Sequence, residues 1–198
     1  MARSRASDHD EKRGAILHKA AIVFSRDGYD RASMAGLAAE IGVSKGLLYH
    51  YHASKEALLF DIISTHLGHL VDVVEQADDR SLPPEARLHA LVAALLDAYR
   101  DADAEHRVQI ETLRFLPADE QEALKALERK LVTQFANAIA ALEPDSFADE
   151  RLLKPVTMSL FGMLNWFYMW FREGRGLSRD EYARLATRIL VAGVRSLA

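Results

Sequence analysis

Apolar residues recur at three- and four-residue steps along most of this chain, which is the spacing of one buried face of an α-helix. No stretch alternates apolar and polar residues in the way that a half-buried strand requires. The pattern therefore predicts an all-α fold of about nine helices. The predicted helices span residues 10–27, 34–40, 45–52, 55–76, 84–99, 106–116, 119–142 and 149–173, and a last one begins after Ser178.

The stretch from Ser33 to Lys55 contains two short predicted helices separated by a tight turn. Ser33 and Ser44 each stand where a side-chain oxygen caps the first free amides of a helix. Gly42 stands where the first of these helices needs a left-handed residue in order to end. Two caps and one helix-ending glycine within a dozen residues predict a helix-turn-helix motif.

The residues of the second helix predict that most of its surface contacts another molecule and does not pack in the core. Leu48 is its one residue directed at the core. Its other positions offer a cation, a point of close approach and three rings that can form hydrogen bonds, namely Lys45, Gly46, Tyr49, His50 and Tyr51. A helix with these residues on its outer face favours contact with duplex DNA.

Residues 12–61 resemble the DNA-binding domain of TetR-family transcriptional regulators. The matching features are Phe24 before Gly28-Tyr29, the turn Ile41-Gly42-Val43-Ser44-Lys45-Gly46, the pair Leu48-Tyr49, and Ser54-Lys55-Glu56 in register. The resemblance implies an N-terminal three-helix helix-turn-helix domain in residues 1–55. It also implies a C-terminal helical bundle, residues 56–198, that binds a ligand and dimerises.

The resemblance further implies which residues face DNA. They are Ser33, Ser44, Lys45, Gly46, Tyr49, His50, Tyr51 and Lys55. Lys55 would add a cation to the free amides at a helix N-terminus, which is a favourable site for a phosphate. Lys45 has the chemistry to reach a guanine edge. The family commonly has a phenylalanine at the place of His52, so His52 replaces an apolar plug.

The charge distribution supports this division of the chain. The net charge is −4, which by itself argues against a nucleic-acid partner. Residues 1–55, however, contain nine Lys/Arg and six Asp/Glu, whereas the remainder contains sixteen and twenty-three. A basic N-terminal part on an acidic body suits a protein that contacts phosphate through that part alone.

The chain has no cysteine and its first residues lack the apolar stretch of a signal peptide, so we expect a cytoplasmic protein.

Residues 156–171 are apolar on nearly every side, which predicts burial of both faces of their helix. The run is shorter than a membrane span and is interrupted by polar residues. Two interpretations remain open. The helix is covered by a second copy of the chain, giving a homodimer, or it lines a cavity for an apolar ligand.

The body also resembles TetR regulators that respond to acyl-coenzyme A thioesters, through Asn165-Trp166 with Trp170 and through residues 112–117. This resemblance implies an apolar tunnel for the acyl chain with basic groups at its mouth. The predicted ligand-binding residues are Phe115, Phe161, Asn165, Trp166 and Tyr168, with Arg114 as a candidate phosphate contact.

Four histidines, His66, His69, His89 and His106, raise the alternative of a metal site, but no fixed carboxylate or cysteine partner accompanies them. No catalytic motif is recognisable, and no cofactor is expected.

Taken together, the sequence features predict a homodimeric, ligand-responsive repressor. It is predicted to bind a pseudo-palindromic operator in double-stranded DNA, to respond to a small-molecule effector and to have no membrane association. The alternative is a helical ligand-binding or scaffold protein whose N-terminal domain does not read DNA.

Overall fold

The computed structural model describes the backbone of residues 2–197 and the side chains of residues 11–149 and 151–197. Within residues 2–197 the fold is all-α, as predicted, with nine helices longer than one turn and no strand. The helices are α1 Ala2–Asp27, α2 Met34–Ile41, α3 Lys45–Tyr51, α4 Lys55–Ala77, α5 Pro84–Ala98, α6 Asp103–Thr112, α7 Ala118–Ala140, α8 Glu150–Asn165, the single turn α9 Phe167–Trp170 and α10 Arg179–Arg195. Two short 3₁₀ helices, η1 Leu113–Phe115 and η2 Pro144–Phe147, lie between them.

The chain divides into two compact units. The first unit combines residues Met1–Leu67 with Asp101–Lys125, and the second combines Gly68–Arg100 with Ala126–Ala198. The core of the first unit includes the fully buried side chains of Phe24, Leu37 and Leu48. The predicted domain boundary at residue 55 stays a prediction.

Helix α4 is long and apolar enough to match a membrane span by length and composition. Half of the matching window is nevertheless buried inside the protein. Burial of this kind is typical of the core helix of a folded domain.

Two predicted helix boundaries differ from the observed ones. Helix α1 begins at Ala2 rather than at residue 10, because no glycine or proline interrupts residues 2–9. The predicted helix 106–116 begins at Asp103 and tightens into η1 at its end. Leu116 is extended, with φ −85° and ψ 154°, because Pro117 disfavours a helical conformation in the residue before it.

The predicted helix 149–173 is wrong at its C-terminal end, since α8 stops at Asn165 and only one further turn follows. The Tyr182 hydroxyl donates a hydrogen bond of 3.1 Å to the carbonyl of Met163, which in a continuous helix would accept from the amide of Phe167. A side chain from α10 therefore takes over the acceptor that the next turn of α8 would need. The capping box of Ser178 and Glu181 that begins α10 is confirmed.

Candidate nucleic-acid interface

The helix-turn-helix forms through the capping interactions that its sequence predicts. Ser33 Oγ accepts the amide of Gly36 at 3.1 Å, and Ser44 Oγ accepts the amide of Leu47 at 3.1 Å. Gly42 has φ +82°, a left-handed conformation that residues with a side chain rarely adopt. These contacts fix the direction in which α3 leaves the turn. Because each capping hydroxyl acts as an acceptor, its own proton remains able to donate to a phosphate.

One buried residue, Leu48, orients α3 so that the opposite face of the helix is exposed to solvent. Leu48 is fully buried, whereas Lys45, Gly46, Tyr49 and His50 are exposed. The Lys45 ammonium lies 5.7 Å from the centroid of the Tyr49 ring, a geometry that orients both groups on the same face. Tyr51 is half-buried. The structure thus brings together four of the eight predicted contact residues on one exposed helix face.

Leu47 also lies on this face, although it is not among the predicted contact residues. Its side chain is 38% exposed although it is large and apolar. The Leu47-Leu48 pair contained the signal, since helical periodicity directs only one of two adjacent residues at the core. An exposed aliphatic side chain on a recognition helix has the chemistry to contact a thymine methyl group.

Lys55 has a structural role besides its predicted contact with DNA. Its ammonium donates to the carbonyls of Tyr29 and Ala32, each at 3.0 Å, and lies 4.2 Å from the centroid of the Tyr29 ring. Lys55 therefore satisfies two carbonyls in the turn between α1 and α2. Its predicted phosphate contact stays a prediction.

His52 ends α3, and its side chain is buried at the place where the family commonly has a phenylalanine. The side chain is buried, and Nδ1 lies 2.9 Å from Asp61 Oδ2, which also forms an ion pair of 2.9 Å with Arg13. Burial lowers the pKa of the His52 imidazolium below its usual value, and the attraction of Asp61 opposes this shift. The folded protein thus favours the neutral ring.

We expect the replacement His52→Phe to reduce the acid sensitivity of the fold. A histidine whose pKa is lower in the folded state takes up a proton on unfolding, so its stabilising contribution is complete above about pH 6.5 and is lost as the pH falls below that value. Phenylalanine fills the same buried site and has no such proton to bind. Thermal unfolding at pH 7.5 and 5.5 should show a smaller decrease in Tm for the variant than for the unchanged protein, and equal decreases would contradict this assignment.

The predicted ligand-binding residues occupy different environments. In the second unit Phe161 is buried, with its ring centroid 5.1 Å from that of Phe135, and Asn165 Oδ1 accepts the Tyr99 hydroxyl at 3.0 Å. Trp166 is 60% exposed, and Tyr168 is half-buried. The structure thus directs Phe161 toward the core and Trp166 toward solvent.

Arg114 and Phe115 belong to the first unit. The Arg114 guanidinium lies 4.9 Å from the centroid of the Phe115 ring. Phe115 in turn stacks on Tyr29, with 5.0 Å between the ring centroids.

The four histidines do not converge. His66 and His106 are buried with their ring centroids 6.0 Å apart, whereas His69 is exposed and His89 Nε2 lies 3.8 Å from Asp180 Oδ1. Among the residues whose side chains are described, no three histidine, aspartate or glutamate side chains are grouped to hold a metal ion.

The prediction that both faces of residues 156–171 are buried stays a prediction, because a single copy of the chain leaves one side exposed. One side of α8 and α10 exposes large apolar side chains, namely Met158 on α8, Trp166 directly after α8, and Leu185 and Ile189 on α10. A groove of about 480 Å³ runs along this side, lined by Val156, Ser159, Met163, Ile189, Leu190, Gly193, Val194, Ser196 and Leu197. We name this exposed side the α8–α10 face. An apolar surface of this kind is typical of a protein-protein contact.

Two protein-family models match the chain. The model described as bacterial regulatory proteins, tetR family, matches residues 16–62, which include the whole helix-turn-helix. The model described as tetracyclin repressor-like, C-terminal domain, matches residues 81–194, more than half of the chain.

Individual relatives agree with these matches. The transcriptional repressor KstR2 of Mycolicibacterium smegmatis is 24% identical over 204 residues, which cover 98% of this chain and 96% of KstR2. The transcriptional activator FasR of the same species is 39% identical over 88 residues, but this match covers only 44% of this chain and 40% of FasR.

Solved structures share the fold over nearly the whole chain. A TetR-family regulator from Bordetella parapertussis superimposes with a TM-score of 0.84 at 34% identity, over 90% of this chain and 93% of that one. AibR, solved in complex with isovaleryl coenzyme A and operator DNA, superimposes with a TM-score of 0.77 at 24% identity, over 90% of this chain and 97% of AibR.

Proposed function

This chain belongs to the TetR family of bacterial transcriptional regulators, and we propose that it is a cytoplasmic, homodimeric repressor whose operator affinity falls when a small effector binds. It is a DNA-binding protein and not an enzyme. The effector we propose is an apolar molecule or an acyl-CoA-type thioester.

The exposed face of α3 is the observation that carries the proposal. The DNA contacts we propose are Ser33, Ser44, Lys45, Gly46, Tyr49, His50, Tyr51 and Lys55. The polar groups of Tyr49 and His50 would donate to phosphates and position the domain, whereas Lys45 would read a base edge. The exposed Leu47 adds an apolar contact to this set.

The α8–α10 face supports the proposed homodimer. It is apolar and it includes the exposed Gly193, and Gly162 on α8 is exposed as well. Neither glycine would bring an added Cβ within 4 Å of another atom of the same copy, so a single copy gives no packing reason for either residue. Glycine within a helix costs about 1 kcal/mol relative to alanine. Close approach of a helix from a second copy would account for that cost.

A twofold dimer would place its two α3 helices in successive major grooves. The half-sites of the operator would then lie about 34–36 Å apart, or a small multiple of that distance, and would be related by pseudo-palindromic symmetry. This spacing makes operator binding sensitive to any change in the distance between the two helix-turn-helix domains.

Relatives support repression and a thioester effector. KstR2 is a repressor that matches nearly the whole chain, and AibR binds isovaleryl coenzyme A. The proposed ligand contacts are Phe115, Phe161, Asn165, Trp166 and Tyr168, with Arg114 for a phosphate. A coupling of roughly 1–3 kcal/mol between effector and operator would change operator affinity about 5- to 150-fold.

A gel-shift titration against DNA from upstream of the protein's own gene tests the proposal. We expect a discrete complex that competitor DNA of unrelated sequence does not displace, and we expect isovaleryl-CoA or longer acyl-CoA thioesters to dissociate it. Free coenzyme A is the matched control for the acyl group. Native mass spectrometry of the purified protein should show a dimer and any ligand that co-purifies. A protein that binds a ligand yet forms no DNA complex would favour the helical scaffold alternative.

A further inference from the structure

A stack of four side chains connects η1 to the turn that precedes the helix-turn-helix. The Phe115 and Tyr29 rings are nearly parallel, with 5.0 Å between centroids and an interplanar angle of 29°. The Arg114 guanidinium lies on the Phe115 ring, and the Lys55 ammonium lies on the Tyr29 ring. Each ring of this stacked pair thus has a cation over it, an arrangement that both cation–π and ring-stacking attraction favour.

Tyr29 connects this stack to the helix-turn-helix. Its ring is buried, its hydroxyl donates to Glu56 at 3.3 Å, and its carbonyl accepts from Lys55. Lys55 also donates to Ala32, which lies one residue before the Ser33 cap of α2. Lys55 therefore links the Tyr29 ring, on which Phe115 stacks, to the start of α2, and Lys55 is itself the first residue of α4.

We propose that Phe115 is a positioning residue for the helix-turn-helix. Its ring fixes Tyr29 and Lys55, and through them the turn from which α2 and α3 extend. This inference rests on the proposed function in one respect, namely that the position of the helix-turn-helix sets operator affinity. It assigns Phe115 a role in the DNA-binding part of the protein in addition to its proposed ligand contact.

The segment before Phe115 is held against α1. Helix α6 is attached to α1 by a contact of 2.7 Å between His18 Nδ1 and Glu105 Oε1, and η1 follows α6 without a gap.

Hydrogen exchange of the full-length protein without DNA tests the positioning role. In the variant Phe115→Leu, which keeps an apolar side chain but loses the ring, we expect the amides of residues 29–52 to exchange about 2- to 10-fold faster, a range that corresponds to the loss of one aromatic stack. Phe115→Tyr keeps the ring and should restore the rates of the unchanged protein. Phe147→Leu is the matched control, because Phe147 ends the other 3₁₀ helix and belongs to the second unit.

The same variants should separate positioning from a general loss of stability. Phe115→Leu should bind operator DNA about 2- to 10-fold more weakly, with unchanged exchange in residues 150–195. Unchanged exchange in residues 29–52 of Phe115→Leu, or equal acceleration in Phe115→Tyr, would overturn the positioning role. Because the exchange measurement needs no DNA, a failure of the unchanged protein to bind an operator would instead contradict the proposed function.

Discussion

The variant Ile189→Glu is expected to be monomeric and to bind operator DNA about 10²- to 10⁴-fold more weakly than the unchanged protein. Ile189 is 53% exposed on the α8–α10 face, where a second copy would bury it. A carboxylate there would lose its water on dimerisation without gaining a partner, which is strongly unfavourable. Each isolated chain would then contact only one half-site, so the gain from two linked contacts would disappear.

Ile110→Glu provides the matched control. Ile110 is also an isoleucine with 53% exposure, but it lies on α6 in the first unit. Sedimentation velocity should show a dimer for Ile110→Glu and a monomer for Ile189→Glu, and the melting curves should establish that both variants fold. A dimeric Ile189→Glu with full operator affinity would exclude the α8–α10 face as the dimer interface.

The variant Gly46→Leu is expected to fold at least as stably as the unchanged protein while losing about 10- to 100-fold in operator affinity. Gly46 lies in α3 on its exposed side, and a Cβ there would meet no other atom within 4 Å. Leucine favours a helix over glycine by up to about 1 kcal/mol. A side chain at this position would instead hold α3 away from the groove, and each base contact that is lost would cost about 1–3 kcal/mol.

Gly14→Leu is the control for this substitution. Gly14 is an exposed glycine within α1, and a Cβ added to it also meets nothing within 4 Å. Both variants should therefore gain helix stability, and only Gly46→Leu should lose affinity in a fluorescence anisotropy titration. Equal operator affinities for the two variants would contradict the placement of α3 against DNA.

The sequence was most informative where structure depends on residues close together in the chain. Ser33, Gly42 and Ser44 predicted the helix-turn-helix because a cap or a left-handed turn is decided within four residues. The resemblance to a family then supplied the DNA-binding face. That face is present in the structure, with Leu48 as its buried anchor.

Contacts between distant residues could not be predicted in the same way. A lysine near the start of a helix suggests a phosphate contact, yet the Lys55 ammonium binds carbonyls of a turn 23 and 26 residues earlier. The end of α8 is accompanied by a hydrogen bond from Tyr182, which lies on α10, 19 residues after its acceptor Met163. Periodicity along residues 156–171 likewise shows which residues are apolar. It does not show whether the same chain or a second copy covers them.

Operator affinity as a function of salt tests the central claim most directly. If the dimer contacts six to ten phosphates through its two helix-turn-helix domains, affinity for its upstream DNA should fall by about 10³- to 10⁵-fold between 50 and 200 mM salt. At every salt concentration a fragment of unrelated sequence should bind more weakly, because base contacts on α3 add to the phosphate contacts. An affinity that does not change with salt, or that is equal for the two fragments, would contradict the account of this chain as an operator-binding regulator.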